Sequence, residues 1–358
     1  MLRPAAALAG LSVLVVALVT LLFIGSQCVG TGGPGRAQEI PAAAAGVPGY
    51  LRPGAATYLA LPRAYVVESA GEYAVFLDAG APSGFPHLGA LRQYWRYYRG
   101  VCATTRDRYP FDAGVHFTLG VAGVGFSAEH AAKGVYEATV GRVSEWIGGH
   151  DSAEDAFARR VAREYGQLLR GAPWYEFPFG ARLEALWRET PLWGPRPLRK
   201  WERRLALSAE YGVKAVYGEL ARRVAQAGAG GEDPHIHLWA ELVPPRAFAE
   251  GRIQKVQEVA RGAFILRVPR GPAFTEIVAA LARHGARFRE IAGNDEILVT
   301  ARMRGAVDVE GGWVVLVEPI LTAPDTRRIG VAAPVRSLHT VLAGLARRGA
   351  VLERVYDY

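Results

Sequence analysis

The chain has 358 residues, of which half are hydrophobic and 21% charged, the balance of a folded protein and not of a disordered one. Its net charge of +8 is spread, with +1 over residues 1–50, +4 over 51–232 and +3 over 233–358. No segment forms the basic patch that displaces counterions from a polyanion, so no nucleic-acid partner is expected. Two cysteines, Cys28 and Cys102, are too few for a disulfide scaffold or a four-thiolate zinc site.

The first element is an uncharged run over 5–25, AAALAGLSVLVVALVTLLFIG. At about 1.5 Å per residue it matches the ~30 Å hydrocarbon core of a bilayer. It is longer than the ~7–15 residues of a cleaved signal's apolar region. Residues 1–28 therefore read as a transmembrane signal anchor, with a cleaved signal as the alternative. Arg3 ahead of the run favours a cytoplasmic N-terminus. The expected location is the cytoplasmic membrane, single-pass, with the bulk of the chain extracytoplasmic. Residues 29–57, as in TGGPGRAQEIPAAAAGVPG, read as a flexible Gly/Pro/Ala linker.

Residues 58–230 read as an aromatic-rich helical domain. Around RQYWRYYR, helical spacing puts Leu91, Tyr94, Trp95, Tyr98 and Cys102 on one face and Arg92, Arg96, Arg99 and Arg106 on the other. Such a helix either buries its rings in a core or lies in a membrane interface. In the second case the rings sit at the headgroup boundary and the arginines bind anionic lipid headgroups. The candidate binding residues are thus Arg92, Tyr94, Trp95, Arg96, Tyr98 and Arg99, with Trp174 and Tyr175 further on.

Between Phe111 and Trp146, His116, Gly120, Gly123, Ser127, His130, Gly134, Glu137 and Gly141 recur at spacings of four and three. On a helix they form one small, polar stripe, a groove for close helix packing or one wall of a polar cleft. His116 and His130 would stand about 21 Å apart along it, too far to share an ion. A further helix opens after Asp151, where Ser152 and Asp155 form a capping-box pair, and carries Phe157, Val161, Tyr165 and Leu168 inward. Another, over about 198–225, has Trp201, Leu205, Val213, Val216, Tyr217, Leu220 and Val224 as its apolar stripe. The crossover between these two begins with PWYEFPFG, where Glu176 stands among Trp174, Tyr175, Phe177 and Phe179. Burial among rings would raise its carboxyl pKa toward that of a general acid. The candidate catalytic set is Glu176, Glu137 and His130.

AGAGGEDP at 227–234 marks a domain boundary. Residues 231–260 read as a connecting segment with one strand at 235–242. There His235, His237, Trp239 and Glu241 share a side. Strand alternation accounts for them, and His235, His237 and Glu241 are the alternative metal set. Over 261–358 the chain repeats itself: ALARHGA (280–286) and GLARRGA (344–350) match at an offset of 64. FILRV pairs with RIGVA, and RFREI with VLERV, at that same offset. Two βαβ repeats, with EILVTARM and WVVLVEPIL between them and a turn at 293–295, predict a ferredoxin-like α/β sandwich. The fold class is α+β.

No GxSxG, GxxxxGK[ST], HExxH or CxxC is present. The sequence therefore reads as a non-catalytic binding, sensing or assembly protein of the cell envelope. It needs no cofactor, and its partners are the membrane and a protein or further copies of itself. The alternative is a membrane-associated enzyme acting on a lipid or other apolar substrate by Glu/His acid–base chemistry.

Overall fold

The computed structural model describes residues 19–20, 22–30, 40–227, 233–248 and 251–358. Among them the chain is α+β, with nine α-helices and two four-stranded antiparallel sheets. The expected anchor over 5–25 and linker over 29–57 lie partly outside these residues; residues 22–28, at the anchor's end, are helical. The first seven helices are α1 (Ala56–Ala79), α2 (His87–Thr105), α3 (Ala113–Tyr136), α4 (Arg142–Gly148), α5 (Ala153–Leu168), α6 (Phe179–Glu189) and α7 (Pro197–Ala227). The chain divides into two compact units. One takes Met1–Arg63, Gln93–Phe126 and Asp233–Tyr358; the other takes Ala64–Arg92 and Ser127–Glu232. The expected helical domain over 58–230 is thus split, and residues 93–126 belong with the strands.

In the helical unit, α5 starts where the sequence places it. Ser152 accepts from the Asp155 backbone N–H and the Asp155 carboxylate accepts from Ser152 N–H, satisfying two otherwise orphaned donors. Its inward residues Phe157 and Val161 join Phe177, Phe179, Leu186 and Tyr211 in one core cluster. PWYEFPFG is therefore a plug: two of its rings fill that core where prolines interrupt the helices.

The strands form two copies of one module. The first is β1 (His235–Glu241), β2 (Gln254–Ala260), β3 (Ala263–Pro269), α8 (Pro272–Arg283) and β4 (Arg287–Ile291). The second is β5 (Glu296–Met303), β6 (Trp313–Ile320), β7 (Ala323–Pro334), α9 (Leu338–Arg347) and β8 (Val351–Val355). The sheet orders are β2-β3-β1-β4 and β6-β7-β5-β8. In each, the strands flanking the helix run parallel to one another but are separated by the module's first strand, antiparallel to both. This is a split βαβ unit, the arrangement a right-handed crossover permits when another strand fills the gap.

The single ferredoxin-like sandwich is therefore corrected to two four-stranded modules. The expected connector, 231–260, supplies the first module's central strand and its edge strand. The turn at 293–295 joins two sheets instead of closing a hairpin. Repetition extends to defects: a register shift falls between Trp239 and Ala240 in β1 and between Thr300 and Ala301 in β5. Strand pairing aligns Ile236–Val268 with Ile297–Ala333, so β3 and β7 correspond at an offset of 65, one more than the sequence match suggests. That shift keeps Leu266 and Val268 in register with Val331 and Ala333, all in the core. Both modules feed this one core, with Phe274, Ile277 and Leu281 from α8 and Leu338, Val341 and Leu345 from α9.

Residues 40–57 are not a free linker. Ala44, Val47 and Tyr50 bury against Ile265, Arg52 N–H donates to Ala292 O at 3.0 Å, and Tyr50 OH donates to Glu290. A Gly/Pro/Ala-rich stretch can lie flat on a sheet, and one tyrosine and one valine suffice to hold it there. Gly293 makes room: its φ is +73°, and Leu51 occupies the place a Cβ would take. On the second sheet, Thr57 of α1 accepts from Leu298 N–H at 3.1 Å, while Gln93 of α2 donates to Pro319 O at 2.8 Å.

The modules are also tied by one hydroxyl. Thr275 Oγ1 on α8 accepts from Val355 N–H of β8 at 3.0 Å, inside the core. Thr275→Val keeps the shape but orphans that buried N–H, a loss of about 1–3 kcal/mol. Urea unfolding should show a lower midpoint with an unchanged m-value.

Candidate functional site

The unusual chemistry of the helical unit lies along α7. In its first two turns the charged residues face inward: Arg199, Lys200, Arg203 and Arg204 are all buried. Arg199 donates to Asp155 at 2.7 Å and to Glu202 at 3.0 Å. Lys200 spans both oxygens of Glu154 at 3.1 Å, and Arg204 reaches the same carboxylate at 2.6 Å. Arg203 donates to Glu137 at 2.8 Å. Farther along, Lys133 and Lys214 each bridge Glu129 and Glu210, closing a ring of four charges at 2.7–3.1 Å. As the partner's number rises from Glu129 through Glu137 to Ser144, the α7 residue falls from Lys214 through Arg203 to Glu202. The helices are antiparallel, zipped by ion pairs.

The same inversion leaves the outside of α7 without charge as far as Tyr217. From Leu198 to Tyr217 its exposed residues are Leu198, Leu205, Ala209, Val213, Val216 and Tyr217, and Leu220 follows the surface carboxylate of Glu219. The apolar stripe read from the sequence is thus the outer face. Opposite, α3 beyond Ser127 exposes Ala128, Ala132 and Val135, and α4 exposes Val143, Trp146 and Ile147. Arg142 is the one charged residue exposed between 128 and 147. Their inner faces carry the small, polar stripe. Gly148 allows Arg199 to pass at a distance where a Cβ would sit 2.6 Å from its own, and at Gly141 a Cβ would strike the Glu137 carboxylate.

Glu137 opens a five-residue π-helical segment, Glu137–Gly141, between α3 and α4, a distortion frequent at functional sites. Burial raises its pKa against the pull of Arg203. Its second oxygen, Oε2, is buried with no hydrogen-bond partner among the described residues. His130 lies two turns earlier on the same face, its Nδ1 3.3 Å from Nδ1 of His87. Burial lowers both imidazoles, His130 to about 4 and His87 to about 3.

The candidate catalytic set does not assemble. Glu176 ends a short turn, Trp174–Glu176, and its side chain is exposed while Phe177 and Phe179 point inward. The carboxylate is turned away from those rings. Glu137 is engaged with Arg203, and His130 with His87.

The candidate binding residues also separate by burial. Arg92, Arg96 and Arg99 are exposed, with Arg96 paired to Glu318 at 2.8 Å. Tyr94 and Tyr98 are fully buried, donating to Leu119 O at 2.7 Å and meeting His116 Nδ1 at 2.9 Å. Those rings are out of reach of a headgroup. Trp95 is half-buried against Phe23, and Trp174 stacks on Tyr217 beside Tyr175. His235 bonds Asp233, His237 bonds Gly49 O, and Glu241 pairs with Arg289. The three side chains have three different partners and no common centre.

The ion-pair seam escaped sequence reasoning, although its signal is visible. Arg199, Lys200, Arg203 and Arg204 share one helix face opposite Leu205 and Val216. The pattern shows amphipathicity but not which face turns inward. No protein family, curated protein or solved structure matches the chain.

Glu154 is fully buried beneath two cations. Removing one partner from such a group leaves uncompensated charge, so Glu154→Gln should cost about 3–5 kcal/mol in chemical denaturation. The His87–His130 pair predicts a pH effect. With folded pKa values below the ordinary ~6.5, stability is complete above about pH 6.5 and is lost as pH falls toward 4. The unfolded chain takes up protons there that the folded chain refuses, by up to about 1.4 kcal/mol per pH unit for each imidazole. Melts of the wild type and of His87→Gln/His130→Gln across this window should show a flatter profile for the double variant.

Proposed function

We propose that the chain is a membrane-anchored, extracytoplasmic, non-catalytic assembly protein of the cell envelope. On this reading the uncharged face of its helical unit rests against the hydrocarbon of the bilayer. The observation that carries the proposal is the inversion of α7. In water an amphipathic helix buries its apolar stripe; here every exposed residue from Leu198 to Tyr217 is uncharged, and the ionised groups of that stretch are paired inside. That is the distribution hydrocarbon requires, because a charge facing lipid is costly and is tolerated when paired within the protein.

Several features support this orientation. The uncharged face is about 29 Å long, close to the ~30 Å apolar thickness of a bilayer. Exposed Trp146, Trp187 and Trp193 cluster in the segments preceding it, and Arg223 follows it. Aromatic residues and arginines favour the two interfaces, where anionic headgroups meet the basic groups. None of the described helices is long and apolar enough to cross a membrane; the ionic face of α7 is buried, where lipid would not meet it. The anchor expected over 5–25 would bring the unit to the bilayer. The Cys28–Cys102 disulfide suits an oxidising compartment outside the cytoplasm.

The enzyme reading retains one observation, the unpartnered buried oxygen of Glu137. The carboxylate's other oxygen is held by Arg203 at 2.8 Å, so assembly is preferred.

Both native cysteines are paired, so a single introduced thiol can be labelled. A spin label at Val216→Cys in liposomes should meet oxygen but not a water-soluble nickel chelate, with the reverse at Arg163→Cys on α5. Nickel access at both positions contradicts the proposal. Shielding at Val216 that persists in detergent and rises with protein concentration assigns the face to a second copy instead.

A further inference from the structure

The unit that holds the strands contains a second constellation, independent of the ionic seam. Cys28, at the end of the helical residues 22–28, is disulfide-bonded to Cys102 of α2. His116, in the first turns of α3, lies beside them. One ligand atom from each of the three residues falls within 4.8 Å of the others, the only such group of three among the described residues. All three are buried, at 2%, 0% and 4% exposure.

The imidazole is held in place. Tyr98 OH meets His116 Nδ1 at 2.9 Å, and Tyr98 is one helical turn before Cys102 on α2, so one helix face supplies both thiol and hydroxyl. Phe111 stacks flat on the ring, with centroids 4.6 Å apart and planes 9° apart. Asp112 fixes the start of α3 by accepting from Val115 N–H at 3.0 Å. A disulfide that served only as a staple would need none of this. An oxygen on one ring nitrogen, orienting the other, is the usual support of a metal-binding histidine.

We propose that Cys28, Cys102 and His116 form a redox-gated site for a thiophilic divalent cation of the zinc class. In the oxidised chain the sulfurs are bonded to each other and the site is closed. A dithiol reductant opens it: two electrons and two protons pass to the cysteines, giving two thiols, and the reductant ends as its own disulfide. Binding of the cation then releases those two protons as both thiolates coordinate. Zinc–sulfur and zinc–nitrogen bonds of about 2.3 and 2.0–2.1 Å put ligand atoms around one ion roughly 3.3–3.8 Å apart, a spacing these three residues reach once the sulfur–sulfur bond opens. Three protein ligands leave the fourth position for water or an incoming group. Tyr98 acts as a positioning residue and not as a ligand.

The test uses the full chain reduced with a phosphine, which adds no competing thiol, and cobalt(II) as the probe. One equivalent of cobalt should give a thiolate-to-cobalt charge-transfer band in the reduced chain and none in the oxidised chain, and zinc should erase it. His116→Ala should weaken cobalt binding at least tenfold, and Tyr98→Phe about tenfold, the scale for loss of a supporting hydrogen bond. Melting the oxidised forms of both variants shows that they fold. Should reduction loosen the chain, zinc must still raise the melting temperature of the reduced protein and leave the oxidised protein unmoved. Absence of the cobalt–thiolate band, no zinc-dependent shift in the reduced chain, or equal affinity in His116→Ala would overturn the proposal.

Discussion

The helical unit depends on the ion pairs that α7 makes along its inner face. Each ion carries a desolvation cost of several kcal/mol, recovered only where the geometry is complete. Here it is complete in places: Glu154 takes Lys200 and Arg204, and Asp155 takes Arg199 and its own helix cap. Because the charges must meet, α7 cannot rotate to bury its apolar stripe. Pairing inside forces Leu205, Val213 and Val216 outside. Small residues opposite follow from the same constraint: Gly148 lets Arg199 pass close beside it, and Gly141 leaves room for the Glu137 carboxylate that meets Arg203.

The other unit is built on a different principle. Its core is almost wholly apolar and is shared by two modules that repeat even their strand irregularities. Thr275 brings one hydroxyl into it, satisfied on β8. Buried charge is held as a bidentate pair, Arg328 on Glu353 at 2.6 and 2.9 Å. The second faces of its sheets are occupied by residues 40–57 and by the start of α1 with α2, so the module is closed on both sides.

Local chemistry in the sequence foretold local structure. The capping box at Ser152, the inward aromatics of α5 and the stripe from His116 to Gly141 are set by contacts within a few residues. The internal repeat was legible because βα-turns leave marks such as ARHGA and ARRGA. What was not legible depends on long-range partners. HIHLWAE alternates like a half-exposed strand, but Tyr50, nearly two hundred residues earlier in the chain, lies over its polar side. The two faces of α7 were plain, but which of them turns inward is decided by the carboxylates of other helices, and those are placed only by the fold. Glu176 shows the same limit: rings on both sides in sequence do not say to which side the carboxylate turns. The Cys28–Cys102 pair needed the fold to bring α2 and the N-terminal helical residues together.

Whether the uncharged face of α7 meets lipid is the central claim. Photolabelling of the full chain in liposomes by a diazirine on the lipid acyl chain, mapped by peptide mass spectrometry, addresses it most directly. Adducts are expected on Leu205, Val213, Val216 and Leu220, with none on the Arg160–Arg163 face of α5. Adducts confined to residues 1–28 would contradict it.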